Sequence, residues 1–364
     1  MRKWLIAAVA VLVALPLMGW GLVQIPAVQD WLVSNGAQKL ASQTKLMNTD
    51  PNSMRVVFCG TEPPPPSRVR AKSCTAIMVG KRTFIVDTGP GSANKMSMWR
   101  FPMNRLTAVL LTHFHSDHIG DLGEFRLQSW VSGRTAPLPV YGPDGVEKVV
   151  DGFNLAYSPD DSYRAPEHHL SAAAAQLAAK PFGLASAAER ATHMASRTIY
   201  DRDGLRITAF QVMHEPVYPA VGYRFDYRGR SVVVSGDTTI SPNLVRMAKG
   251  VDVLVHEGQS REAQQIFVNA LKKSGDTHLA KVIGEVGNYH ATPVQVAEEA
   301  NQAGVGLLVF NHMGPIPPDN LITKKLFARG LSDVRPASKW HLANDGLILT
   351  LPVGSKAVER SRLP

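Results

Sequence analysis

The sequence predicts an α+β fold in which two β-sheets pack face to face with helices outside them, an αββα four-layer sandwich. Two observations predict this domain, and a third predicts a separate segment before it. Strand patterns come in two batches, and each batch is followed by helical patterns. An Ala-rich stretch at residues 151–203 separates the batches and predicts a helical insertion. An uncharged stretch precedes the whole domain and predicts an N-terminal signal or anchor helix.

The N-terminal stretch has the length that crosses a bilayer. Arg2 and Lys3 precede uncharged residues that run from Trp4 to Val23. About twenty helical residues at about 1.5 Å each span about 30 Å, the thickness of the hydrocarbon core. Basic residues before such a segment favour export of the downstream chain. We therefore expect residues 1–27 to be a signal peptide or membrane anchor, and 28–54 to be a spacer. The protein would be periplasmic, either soluble after cleavage or anchored in the inner membrane.

The composition describes a globular and basic chain. Of 364 residues, 45% are hydrophobic and 19% are charged, which excludes a disordered protein. The formal charge is +9, but the basic residues form no run of five or six, so a solvated basic surface explains them best. Cys59 and Cys74 pair in one interpretation and are two buried thiols in the other, and the sequence leaves both open.

Strand patterns begin near Arg55. The predicted strands are residues 56–58, 76–79, 83–86, 108–111, 140–141, 205–212, 221–227, 231–234, 251–255 and 307–310. Gly80-Lys81 and Arg228-Gly229 predict two hairpins. Thr292, Pro293 and Gln295 predict the capped start of a helix that ends before Gly304. One folded domain is thus expected over 55–352, with a tail over 353–364.

Three histidines and a carboxylate follow the strand at 108–111 within a single short loop. They are His113, His115, Asp117 and His118. Imidazole nitrogen and carboxylate oxygen are donors that Zn²⁺ and related ions accept, so the loop predicts a metal site.

Three more candidate donors come just after later strands, where a sandwich opens its loops. They are His214, Asp237 and His312. Seven donors exceed the four that one zinc ion takes, so the set predicts two ions.

This ordered set of motifs resembles the metallo-β-lactamase superfamily, in particular the branch that holds ribonuclease Z and bacterial arylsulfatase-like hydrolases. The matching pieces are Val86-Asp87-Thr88-Gly89, the His-x-His-x-Asp-His loop, His214 with Gly222-Tyr223, Ser235-Gly236-Asp237-Thr238, and His312. The resemblance implies that His113, His115 and His214 bind one zinc ion and that Asp117, His118 and His312 bind the other. It also implies that Asp237 bridges them and that Asp87 holds the loop without touching metal.

Two further motifs match the same branch. His256-Glu257-Gly258 and His290-Ala291-Thr292 stand where ribonuclease Z-like enzymes carry His-Glu-Ala and His-Ser-Thr. The resemblance places the glutamate and histidine of these loops beside the metals. Glu257 would orient His290, whose imidazolium would protonate a leaving alkoxide. In the alternative interpretation His290 only flanks the helix cap at Thr292. The candidate catalytic residues are therefore Asp117, Glu257 and His290.

The substrate expectation depends on where the chain departs from ribonuclease Z. The residues after His312 are Met313-Gly314-Pro315-Ile316-Pro317-Pro318, and no basic residue occurs until Lys324. The insertion has seven acidic and five basic residues, unlike an arm that holds tRNA. We therefore expect an exported dinuclear zinc hydrolase of small anionic phosphate or sulfate esters that uses a metal-bridging hydroxide, and tRNA is not expected as a substrate.

Two alternatives stay open. A lactonase or β-lactamase would open a ring instead, although Asp237 stands where the common zinc β-lactamases use a cysteine. A membrane-tethered metal-binding module would catalyse nothing. Expected partners are the small ester, the membrane through the N-terminal segment, and a second copy of the chain if it forms a homodimer.

Overall fold

The structure, a computed structural model, describes residues 16, 18–42, 50–63, 67, 69–184, 186–314 and 320–363. The predicted signal or anchor segment lies mostly outside this part of the chain. Within it, no helix is long and apolar enough to cross a membrane. In the N-terminal unit, Pro26–Ser42 forms a helix of 17 residues, α1, most of which lies in the stretch predicted as a spacer.

The second unit contains two β-sheets. In chain order its strands are β1 (Ser53–Gly60), β2 (Cys74–Val79), β3 (Arg82–Val86), β4 (Leu106–Leu110), β5 (Leu138–Gly142), β6 (Leu177–Pro181), β7 (Ser196–Arg202), β8 (Leu205–Gln211), β9 (Val221–Tyr227), β10 (Arg230–Val234), β11 (Val253–Gln259), β12 (Leu307–Gly314), β13 (Trp340–Leu342), β14 (Leu347–Pro352) and β15 (Glu359–Arg362). The first sheet has the order β15-β14-β1-β2-β3-β4-β5-β6, and the second has the order β13-β12-β11-β10-β9-β8-β7.

Helices connect these strands. In chain order they are α2 (Ser92–Met98), α3 (Ser116–Ile119), α4 (Leu122–Val131), α5 (Val146–Glu167), α6 (Ala172–Ala175), α7 (Ala187–Thr192), α8 (Pro242–Met247), α9 (Arg261–Lys273), α10 (Thr277–Val286), α11 (Pro293–Gln302), α12 (Leu321–Phe327) and α13 (Leu331–Val334). The predicted cap of α11 is confirmed: the Thr292 side chain accepts from the Gln295 backbone, and Gln295 returns a capping-box contact.

The main core lies between the two sheets. Buried apolar side chains of the first sheet, such as Phe84 and Leu110, belong to the same cluster as Phe225 and Val253 of the second sheet. The outer face of the second sheet is covered by α8, α11, α12 and α13, while α2 and α5 pack on the first sheet. The predicted sandwich of two sheets between helices is therefore confirmed.

Strand directions bring the functional loops to one end of the sandwich. Strands β3, β4 and β5 run parallel in the first sheet, and β10, β11 and β12 run parallel in the second. The carboxyl ends of parallel strands meet at one edge of a sheet. The loops after these strands therefore lie near one another, and they carry most of the candidate donors.

The segment 151–203 is helical only in part, which corrects the prediction. It contains most of α5, but it also contains β6, which pairs with β5, and β7, which pairs with β8. Alanine-rich composition favours a helix, but pairing to an existing sheet edge outweighs that weak preference in Leu177–Pro181. The segment thus extends both sheets.

The predicted tail, 353–364, also contains a strand. Glu359–Arg362 forms β15, which pairs antiparallel with β14 at the sheet edge. All four of its residues are exposed. The strand therefore lacks the alternation of apolar and polar residues that predicts a half-buried strand from sequence. Arg230 stabilises the segment that leads into β15, because its guanidinium donates to the Ala357 carbonyl at 3.0 Å.

Cys59 and Cys74 form a disulfide, which decides between the two interpretations of the cysteines. They lie at neighbouring positions of the antiparallel strands β1 and β2. Strand pairing holds their Cα atoms 5.0 Å apart, within the range that a disulfide spans.

Candidate metal centre

Seven histidine and aspartate side chains meet at the loop end of the sandwich. They form two adjacent groups, each with ligand atoms within 4.8 Å of one another. The first group is His113, His115, His214 and Asp237, and the second is Asp117, His118 and His312. These are the seven residues that the sequence analysis proposed as ligands, and the structure brings all of them together.

The histidine loop is held from beneath by Asp87. Its Oδ1 accepts from the Thr112 backbone N–H at 2.8 Å, and its Oδ2 accepts from the Thr112 hydroxyl at 2.8 Å. The same carboxylate lies 2.8 Å from Nδ1 of His118. Asp87 belongs to neither donor group, so it orients the loop and directs Nε2 of His118 toward the cluster.

The strand before this loop is anchored to the second sheet by Tyr223. Its phenol donates to the Leu111 carbonyl at 2.6 Å. Gly222 lets β9 approach this closely, since an added Cβ would lie 2.9 Å from the Ser235 carbonyl oxygen. The Gly222-Tyr223 pair in the motif thus joins the loop of β4 to the loop of β10.

His214 is oriented by a backbone group. Its Nδ1 lies 2.9 Å from the Tyr289 carbonyl oxygen, which fixes the proton on Nδ1. Its Nε2 is buried and has no hydrogen-bond partner. Burial lowers the pKa of His214 to about 4, so the ring stays neutral and keeps a lone pair on Nε2.

Asp237 of the first group lies where the two groups meet. Its Oδ2 is 4.0 Å from Nε2 of His113, 3.3 Å from Nε2 of His118 and 3.6 Å from Nε2 of His312. Burial would raise its pKa, but the neighbouring imidazoles of His312 and His118 lower it well below the usual range. The carboxylate is therefore ionised at the point where the two donor groups meet.

His312 reaches the second group through a strained backbone. Its φ of 47° lies in the left-handed region that residues other than glycine seldom adopt. This conformation places Nε2 of His312 3.2 Å from Oδ2 of Asp117. Burial opposes the charge of Asp117, but His118 and His312 outweigh it and lower the pKa of the carboxyl.

The residues fit a pair of zinc-type ions. Nε2 of His118 and Nε2 of His214 are buried and have no hydrogen-bond partner. An unpaired buried nitrogen costs free energy unless a bound group such as a metal ion accepts its lone pair. Nε2 of His113 lies 3.0 Å from Nδ1 of His115. Nitrogens bound at 2.0–2.1 Å around one tetrahedral zinc would lie about 3.3–3.4 Å apart, which is close to this separation.

Glu257 and His290 lie beside this cluster. Nδ1 of His290 is 3.3 Å from Oε1 of Glu257, which also accepts from the Ala291 backbone N–H at 3.0 Å. The His290 ring lies 5.2 Å from that of His214 and 6.0 Å from that of His312. Burial would lower the pKa of His290, but the Glu257 carboxylate raises it to about 8. His290 thus lies between Glu257 and the donor histidines, as well as beside the helix cap at Thr292.

Sequence reasoning missed two residues that support the site. The buried Glu299 of α11 accepts from the Ser241 backbone N–H at 2.7 Å and lies 3.6 Å from Nε2 of His256. Its position beside Ala300 on the buried face of α11 was the available signal. Tyr289 supplies the backbone carbonyl that orients His214. A local sequence pattern does not predict which backbone carbonyl will accept a hydrogen bond from a distant side chain.

Comparisons with known proteins agree with this geometry. A family model described as Beta-lactamase superfamily domain matches residues 82–313. A ribonuclease Z of Mycolicibacterium gilvum (strain PYR-GCK) is 33% identical over 265 residues, which are 72% of this chain and 85% of that protein. Two solved structures share the fold. Human tRNase Z, short form, has a TM-score of 0.56 at 18% identity and covers 82% of this chain and 99% of its own. A diphosphatase from the PhnP family has a TM-score of 0.53 at 17% identity, and the match covers 81% of this chain and 97% of that protein.

The matched span contains the whole histidine loop, His214, Asp237 and His312. The resemblance seen in the motifs is thereby confirmed for the superfamily and for ribonuclease Z. The chain belongs to the β-lactamase superfamily of metal-dependent hydrolases, in the branch that contains ribonuclease Z.

Proposed function

We propose that this protein is a dinuclear zinc-type hydrolase of phosphate or sulfate esters. The observation that carries the proposal is Asp237, whose carboxylate belongs to the first donor group and lies 3.3 Å from Nε2 of His118 and 3.6 Å from Nε2 of His312 in the second. His113, His115 and His214 would hold one ion with Asp237, while Asp117, His118 and His312 would hold the other. When bound, such a pair supplies a nucleophile from water and neutralises charge on the attacked centre and the leaving oxygen.

The protein's own groups orient the metal-binding histidines and the proton donor. Asp87 and the Tyr289 carbonyl hold the Nδ1 protons of His118 and His214, so that Nε2 of each ring offers its lone pair. Glu257 holds His290 at Nδ1. A doubly protonated His290 would then donate from Nε2 to the leaving oxygen of the ester.

Phosphoester chemistry is supported by the relatives. The mycobacterial protein at 33% identity is named ribonuclease Z, and an RNA is a phosphodiester. A small ester fits this chain better, because the insertion carries more acidic than basic residues and contributes strands rather than a basic arm.

A panel of substrates tests this proposal. The zinc-loaded protein is expected to hydrolyse bis(p-nitrophenyl) phosphate or p-nitrophenyl sulfate faster than a lactone or a β-lactam. Chelation should abolish the activity and added Zn²⁺ should restore it, with the same chelated preparation as the control. Turnover of the lactone or β-lactam, with neither ester cleaved, would favour ring opening instead.

A ribonuclease Z-like nuclease is the second candidate. The identity of 33% over most of both chains specifically favours it. Incubation with a precursor tRNA carrying a 3′ trailer separates the two candidates. A single cut after the acceptor stem at a rate above that for the small diesters would establish the nuclease, and an uncut precursor would support the small-ester hydrolase.

We also propose that the protein is exported. The apolar stretch after Arg2 and Lys3 supports this location, and so does the disulfide between Cys59 and Cys74, because disulfides persist mainly in oxidising compartments.

A topology reporter tests the export proposal. Alkaline phosphatase fused after residue 43 is expected to be active, because that enzyme folds only outside the cytoplasm. A matched fusion that lacks residues 1–27 should be inactive. The proposal fails if a cytoplasmic reporter at the same junction is active while the phosphatase fusion is not.

A further inference from the structure

Helix α10 presents an apolar stripe that is only partly covered. Leu279, Val282, Ile283 and Val286 recur at the spacing that places residues on one face of a helix. Leu279 is 39% exposed and Val282 is 44% exposed, while Ile283 and Val286 are half-buried. Among the residues of α10, which are all described, Ala280 alone is fully buried. This stripe therefore offers apolar surface that the chain itself leaves accessible.

The helix is held firmly in this orientation. The Asp276 side chain caps its first turn by accepting from the Leu279 backbone N–H at 3.1 Å. Near its end, the Gln264 side chain of α9 donates to the carbonyls of Ile283 and Gly284. Because both ends are fixed, the exposed stripe is a feature of the fold and not of a frayed helix.

The stripe leads directly to the candidate metal centre. Val286 is followed by a 3₁₀ turn, Gly287–Tyr289. Side chains three residues apart eclipse in such a turn, so Val286 and Tyr289 lie on the same side. The Tyr289 ring is then 5.3 Å from the ring of His214 and 5.0 Å from the ring of His290. The stripe therefore ends three residues before a ring that borders the metal ligand His214 and the proton donor His290.

Tyr289 itself borders the donors through its ring contacts with His214 and His290. Its ring is half-buried. A half-exposed ring at this point will contact whatever arm of the substrate extends from the reacting centre toward α10.

We infer that Tyr289 and the α10 stripe bind an apolar arm of the substrate ester, so that the preferred substrate is an amphiphilic ester. The inference rests on the proposed function, since it assumes that the anionic ester group sits at the metal centre. A nucleic acid fits this surface less well, because a strand needs cations along its path. On α10 the cation Lys281 lies 3.9 Å from the carboxylate of Glu285.

Competitive binding of alkylphosphonates tests the inference without turnover. Methyl-, butyl- and octylphosphonate share the anionic head and differ only in the tail. In the zinc-loaded protein, each buried methylene is expected to lower the dissociation constant roughly fourfold over the first few carbons. In Val282→Ser, Leu279→Ser and Tyr289→Ala most of this gain should disappear. Methylphosphonate should bind to Val282→Ser and Leu279→Ser as it does to the unchanged protein, because neither residue belongs to the donor groups.

Matched controls separate the stripe from general surface effects. Val131→Ser and Leu155→Ser alter apolar residues that are 40% and 76% exposed on α4 and α5, and neither should change the chain-length dependence. Tyr289→Phe keeps the ring and should retain the gain. Affinity that is independent of chain length, or equal loss in the control variants, would overturn the inference. Failure of all phosphonates to bind would instead count against the proposed function.

Discussion

Replacing Asp237 with alanine is expected to remove at least one of two bound metal ions and nearly all hydrolytic activity. Its Oδ2 lies within 3.3–4.0 Å of histidine nitrogens from both donor groups, so the change removes a donor that both ions would use. Loss of a group that merely orients a metal ligand costs roughly 10–100-fold in affinity or activity. Loss of the shared carboxylate should exceed that range.

Metal analysis after dialysis measures this effect directly. The unchanged protein should hold about two ions per chain after zinc supplementation. Asp226→Ala, which alters an aspartate of β9 paired with Arg224, is the matched control and should keep both ions. Two tightly held ions in Asp237→Ala would remove this residue from the shared position. One ion or none in the unchanged protein would refute the dinuclear centre.

Replacing His290 with alanine is expected to slow alkyl esters far more than p-nitrophenyl esters. A p-nitrophenolate leaves without help, so its ester should be almost unaffected. An alkyl ester leaves as a strongly basic alkoxide, and its hydrolysis should slow by about 10²–10⁴-fold, the contribution typical of general acid catalysis. The raised pKa of His290, about 8 beside Glu257, favours the protonated ring that this role requires.

Glu257→Gln provides the graded comparison. The glutamine still accepts from the Ala291 backbone N–H but no longer stabilises the imidazolium, so the same pattern should appear in weaker form. Metal content should stay unchanged in both variants, because neither residue belongs to a donor group. Equal slowing of both ester types in His290→Ala, or loss of metal, would return His290 to a structural role.

Some features of this protein were determined by the sequence alone because they depend on short spacings. The donors of the histidine loop lie within six residues, and any turn after β4 brings them together. The capping box at Thr292 and the hairpin at Arg228-Gly229 are likewise local. The later donors, His214, Asp237 and His312, were found because each comes just after a predicted strand, where a sandwich opens its loops.

Other features were decided only by tertiary structure. Strands β6, β7 and β15 pair with existing sheet edges, and their own residues do not alternate as half-buried strands do. The disulfide requires the register of β1 against β2. The contact of Tyr289 with His214 joins residues that are 75 positions apart. Such contacts leave no local pattern, because folding alone sets the distance between segments that are remote in the chain.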